Sequence, residues 1–113
     1  MTKLLLIDDD QAVRETLVMK LSGDYAVVAV DSRDAALPVL DAEPDVILMD
    51  RIMPGLGIEQ FMDRVRERCP KANVVLMSGT HDTAETSRLG IRHFVAKFLD
   101  FPRLTQTLMN AML

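Results

Sequence analysis

The chain of 113 residues has no tryptophan, one tyrosine, four phenylalanines and a single cysteine. With one cysteine, no internal disulfide can form. Cys69 stands in Arg66-Glu67-Arg68-Cys69-Pro70, at an expected helix end, and reads as a tolerated free thiol in a cytoplasmic setting. No apolar run approaches the roughly 20 residues of a membrane span, which argues against membrane insertion. Lys3 is followed by only four apolar residues, so no signal peptide is read there. A basic excess is also missing: 13 Lys and Arg stand against 17 Asp and Glu, a net charge of −4 without any Lys/Arg cluster. That balance argues against direct nucleic-acid binding. There is no internal repeat, low-complexity segment or linker. The length suits one domain over residues 1–113 with a single core, and the eight methionines read as soft core filler.

What the chain does have is four apolar runs that each end in polar residues. Leu4-Leu5-Leu6-Ile7 runs into Asp8-Asp9, and Val46-Ile47-Leu48-Met49 into Asp50. Val74-Val75-Leu76-Met77 runs into Ser78-Gly79, and Phe94-Val95-Ala96 into Lys97. Each run has the length and uniform hydrophobicity of a strand covered on both faces. In a parallel sheet the four ends share one edge, where open α/β folds keep their sites. That edge would gather three carboxylates, a hydroxyl and an ammonium. Clustered carboxylates repel unless a cation sits among them, and Mg²⁺ prefers oxygen ligands. The lysine and hydroxyl suit an anionic group beside the metal. The pattern points to Mg²⁺-assisted phosphoryl chemistry at a carboxylate.

Helical signals separate the strands. Val13, Leu17 and Leu21 mark a helix from Gln11 to Ser22, with Asp10 as a candidate cap. Ala26–Val30 is the second strand. Ser32 caps a second helix that would turn Ala36, Leu37 and Leu40 to the sheet and close at Pro44. Pro38 inside it should kink it, at roughly 3 kcal/mol in an ideal interior. Ile58, Phe61, Met62 and Val65 give a third helix, ended by Pro70. Asp82-Thr83-Ala84-Glu85 reads as a capping box, and Gly90 as the stop of a short fourth helix with apolar positions Ala84 and Leu89. The fifth strand spans Arg92–Ala96, and Leu104, Leu108 and Ala111 stripe a last helix. Five strand–helix units make a doubly wound α/β sandwich.

The run Leu4–Asp10, the segment Leu48-Met49-Asp50-Arg51-Ile52-Met53-Pro54-Gly55, the step Met77-Ser78-Gly79 and Lys97 together resemble the receiver domain of two-component response regulators. The resemblance covers nearly the whole chain and rests on four motifs in the right order. It implies a flavodoxin-like five-stranded parallel sheet of order 2-1-3-4-5. It implies a phosphoacceptor that helps its own phosphorylation and dephosphorylation but is not otherwise an enzyme. Asp50 would take a phosphoryl group from a sensor histidine kinase or phosphotransfer protein. Asp9, Asp50 and the backbone carbonyl of Ile52 would bind Mg²⁺ directly, and Asp8 through water. Ser78 and Lys97 would contact the phosphoryl oxygens, and Gly79 would expose a backbone N–H to them. Phe94 matches the family's aromatic switch position, with plain core packing as an equal reading. An attached output domain or separate target would receive the signal, with a homodimer as a further option. His81 and His93 lack a phosphohistidine context and read as surface or loop residues.

Three departures from the family pattern stand out. Phe98 follows Lys97 where the family has a cis proline. A cis bond before a non-proline residue costs roughly 2.5–4 kcal/mol, so trans is expected. The loop after Pro54 is shorter by one residue. Ser78 to Lys97 is shorter by about three residues, close to one helical turn, which shortens the fourth helix. With Phe98, Leu99 and Phe101 nearby, a remodelled output face is expected. The competing reading is a pseudo-receiver, an interaction module with little phosphorylation-dependent switching. An aspartyl phosphatase would want an acid where Ile52 stands, and a flavodoxin would want a Ser/Thr/Gly-rich loop after the first strand.

Overall fold

Alternation along each strand sends odd and even residues to opposite faces of a sheet. In the computed structural model, which describes all residues except 80, 81, 98 and 99, that alternation builds two cores. Leu5, Ile7, Ile47, Met49, Val74 and Leu76 line one face, called the odd face after its first two strands; Leu4, Leu6, Val46, Leu48, Val75 and Met77 line the other, the even face. The strands are β1 (Thr2–Ile7), β2 (Tyr25–Val30), β3 (Val46–Asp50), β4 (Asn73–Ser78) and β5 (His93–Ala96). All are parallel, in the order β2-β1-β3-β4-β5. Register pairs Leu6 with Leu48 and Asp50 with Met77.

Helices α1 (Gln11–Leu21) and α5 (Phe101–Ala111) cover the even face, through Leu17, Leu21, Leu104 and Leu108. Helices α2 (Arg33–Ala36), α3 (Ile58–Arg68) and α4 (Thr83–Leu89) cover the odd face, through Ala36, Phe61, Met62, Val65 and Leu89. Asp10 caps α1 by accepting from the Ala12 and Val13 amides, and Ser32 caps α2 at the Ala35 amide. Gly90, at φ +72°, closes α4 in the left-handed region that glycine enters without strain.

The second helix differs from expectation. It is one α turn followed by a 3₁₀ segment, Leu37–Ala42, rather than one kinked α-helix. Pro38 has no N–H to give back to Asp34, and its ring crowds the preceding turn, so the chain tightens instead of bending. In α4 the buried positions are Thr86 and Leu89, whereas Ala84 is exposed. Asp82 accepts the Glu85 amide at 3.2 Å, so half of the expected capping box forms. The Glu85 carboxylate is engaged by Arg51. Helix α4 has 7 residues against 11 in each of α1, α3 and α5. The Lys97–Phe98 bond, the loop reading of His81, and Phe98 and Leu99 of the output face fall outside the described residues. Among the described residues, no helix is long and apolar enough to cross a membrane.

Phe61 is fully buried at the centre of the odd-face core. Phe61→Ala should cost about 3–5 kcal/mol in urea unfolding without a change of fold. A cost below about 1 kcal/mol would show that this core is loosely packed.

Candidate phosphoacceptor site

The same alternation assembles the site beyond the strand ends. Backbone hydrogen bonds carry the ladder past the strands: the Asp8 amide reaches the Val30 carbonyl, Arg51 reaches Met77, and Lys97 reaches Ser78. Asp8 therefore follows Leu6, Asp50 follows Leu48, and Lys97 follows Val95, all on the even face. Their side chains meet there. Lys97 Nζ lies 2.6 Å from Asp50 Oδ2 and 3.0 Å from Asp8 Oδ2. Lys97 thus reaches into the site rather than lying along the surface, with phenylalanine, not proline, after it in the chain.

Asp8 is fully buried and Asp50 nearly so, while Asp9 is exposed; carboxylate oxygens of the three lie within 4.8 Å of one another. Burial is the largest influence on Asp8 and pushes its carboxyl above the usual 3.8, with the Asp10 amide and Lys97 pulling the other way. Burial also works against the charge of Lys97, but the hydrogen bond to Asp50 and the attraction of both Asp50 and Asp8 outweigh it and hold the ammonium above 10.5. Asp8 Oδ1 accepts the Asp10 amide at 2.9 Å. Oδ2 is buried with no hydrogen-bond partner; the ammonium is close but off the bonding direction. An orphaned, desolvated carboxylate oxygen beside two further carboxylates is an all-oxygen donor set, which a small hard cation fits.

Other expected site residues lie around this centre. Ser78 is buried at the end of β4, paired with Ala96 of β5. Gly79 follows it at the surface, and a side-chain carbon built there would meet nothing within 4 Å. Ile52 exposes its side chain and directs its N–H at Asp50 Oδ1, at 3.4 Å. Phe94 is half-buried on β5 and belongs to neither core cluster. With Thr83, Thr86 and Ile91 it lines a cavity of about 500 Å³ beside α4. His93 is half-buried and opens β5.

Two arginines and a glutamate near the site were not visible as site residues from the sequence. Arg51 falls on the odd face, away from the carboxylates, and grips both oxygens of the Glu85 carboxylate on α4 through Nε and Nη2, at 2.6 and 2.9 Å. That bond holds the Glu85 carboxyl below its ordinary 4.5. Arg33, in the first turn of α2, is buried at 2% exposure against the loop that follows Asp50. Both arginines sit where a charge ordinarily reads as solvated, and only the three-dimensional neighbourhood distinguishes them.

The sequence matches the family described as "Response regulator receiver domain" over residues 4–109. It is 41% identical over 100 residues to the response regulator protein FleR of Pseudomonas aeruginosa, covering 84% of this chain and 21% of that protein. It is 34% identical over 100 residues to protein-glutamate methylesterase/protein-glutamine glutaminase 1 of Myxococcus xanthus, covering 83% of this chain and 29% of that protein. The chain therefore spans about a fifth to under a third of these relatives. Among solved structures, the chemotaxis protein CheY4 of Vibrio cholerae shares the fold with a TM-score of 0.89 at 21% identity, over 98% of each chain.

Because burial raises Asp8, its charge opposes folding as pH climbs above 3.8: the unfolded chain releases that proton first. In EDTA at neutral pH, Asp8→Asn should therefore raise the melting temperature. A lowered one would mean that the Lys97 ion pair outweighs the desolvation of Asp8.

Proposed function

The chain belongs to the response-regulator receiver family, and from that premise we propose that it accepts a phosphoryl group on Asp50 from a sensor histidine kinase or phosphotransfer protein. The observation that carries this is the Asp50 carboxylate, nearly buried, held at 2.6 Å by Lys97 and crowded by Asp8 and Asp9. Asp9, Asp50 and the Ile52 carbonyl are the residues that would hold Mg²⁺ directly, with Asp8 acting through water. Mg²⁺, when bound, supplies the positive charge that lets a carboxylate approach an anionic phosphoryl group.

An Asp50 oxygen attacks phosphorus as the bond to the donor's nitrogen or oxygen breaks, and the donor leaves with that electron pair. The product is an acyl phosphate on Asp50. Lys97, already at the carboxylate, follows the new charge and pairs with a phosphoryl oxygen as a point charge. The Ser78 hydroxyl and the Gly79 N–H are the remaining candidates for those oxygens, and Gly79 leaves them open space. Burial of the Asp50 carboxylate beside Asp8 limits the access of bulk water to it. The signal passes to an output domain or separate target, in a cytoplasmic setting.

A second reading has one observation in its favour. With only 7 residues in α4, few contacts are available to differ between phosphorylated and free states, and a ligand shifts an equilibrium only through such differences. On that reading the domain is an interaction module whose phosphorylation is weakly transmitted.

Incubation with acetyl phosphate and Mg²⁺ should add one phosphoryl group by intact-mass measurement, and Asp50→Asn should abolish it. An adduct surviving in Asp50→Asn would overturn the assignment. No adduct on the wild-type chain would favour the interaction module.

A further inference from the structure

Arg33 carries a full charge into the interior and, among the described residues, makes no ion pair or hydrogen bond with a carboxylate there. Its partners are three backbone carbonyls and a thioether. Nη1 donates to the Leu56 carbonyl at 3.1 Å, and Nη2 to the carbonyls of Asp50 and Arg51 at 3.2 and 2.7 Å. Nε faces Met49 Sδ at 3.4 Å. Burial lowers the guanidinium below its ordinary value, and the charge of Asp50 is the largest influence offsetting it. A buried cation costs several kcal/mol unless something compensates, and an apolar side chain of similar length would fill the same space without that cost. Space-filling alone is a poor account of an arginine here.

The Arg51–Ile52 peptide links this cation to the reacting group. Its carbonyl accepts the shortest of Arg33's bonds, and its N–H points at Asp50 Oδ1 at 3.4 Å. The peptide is trans, so its C=O and N–H point in opposite directions, and holding one end aims the other. The guanidinium also sits at the negative end of that peptide dipole, and the carboxylate at the positive end. Beyond the peptide, Arg51 is anchored to Glu85, and the Leu56 amide to Asp34 Oδ1 at 3.0 Å.

We infer that Arg33 is a positioning residue for phosphoryl transfer: it orients the Arg51–Ile52 peptide so that the Ile52 N–H stays on the Asp50 carboxylate. The inference rests on Asp50 being the phosphoacceptor, but its geometric part does not.

Three variants separate the possibilities. Arg33→Met keeps length and removes every donor. Arg33→Lys keeps the charge but cannot span all three carbonyls. Asp34→Ala frees the same loop at Leu56 without touching the 51–52 peptide. The first readout is the Ile52 amide proton shift, measured with and without Asp50→Asn. In the wild-type background, Asp50→Asn should shift it strongly. That response should collapse in Arg33→Met, fall partly in Arg33→Lys and persist in Asp34→Ala.

The second readout is the rate of phosphorylation by acetyl phosphate. It should fall on the order of tenfold in Arg33→Met, less than the 10²–10³ of a donor acting directly on the reacting group. If Arg33→Met does not fold, Arg33→Lys carries the comparison, and a wild-type shift response with a wild-type rate would refute the inference. An equal loss of rate in Asp34→Ala at matched stability would also refute it, since loop stability would then explain both. If the wild-type chain takes up no phosphoryl group, the functional reading fails, while the amide comparison still decides the role of Arg33.

Discussion

Everything at the sheet edge depends on one electrostatic imbalance. Three carboxylates converge, two of them out of water, and a single ammonium answers them at 2.6 and 3.0 Å. Exposed like charges would be screened by solvent; here Asp8 is fully buried and feels its neighbours through protein. The strain falls on Asp8, whose carboxyl is pushed upward and whose Oδ2 lacks a hydrogen bond. A fold that tolerates such a cluster does so because the rest of it is strongly built. Two aliphatic cores, one on each face, hold the strand ends that carry these groups.

Strand alternation then sends neighbouring residues to opposite faces of the sheet. One face beyond the strands brings Asp8, Asp50 and Lys97 together, while Arg51, one residue after Asp50, turns to the opposite face and reaches Glu85 on α4. The residue after Asp50 is thus tied to the helix beside Phe94. This two-donor bond links the short α4 directly to the residue beside the site. At 27% and 19% side-chain exposure the pair is sheltered enough to exceed the small contribution of an ordinary surface ion pair.

Strand positions, sheet class and the convergence of Asp8, Asp9, Asp50, Ser78 and Lys97 on one edge were legible because uniform apolar runs ending in polar residues leave few alternatives. The strand order came from the family resemblance. Helix α3 was equally plain, with Phe61, Met62 and Val65 on one stripe. The second helix departs from its sequence pattern because Pro38 lacks the N–H an α-helix needs there, and the segment from Leu37 to Ala42 is 3₁₀ rather than a kinked α-helix. Arg33 and Glu85 were invisible for a different reason. A charged residue in a first helical turn ordinarily faces water, and nothing local marks the one that is buried against a loop 17 to 23 residues away.

The central claim is that the site is a carboxylate cluster one divalent cation short of neutrality, with Lys97 competing for the same oxygens. Calorimetric titration of Mg²⁺ into the wild-type chain and into Lys97→Met tests it most directly. The account expects one binding site in the wild type and tighter binding in Lys97→Met, because removing the ammonium frees Asp50 Oδ2 and Asp8 Oδ2. Unchanged or weaker binding in the variant, or no binding in either chain, would contradict it.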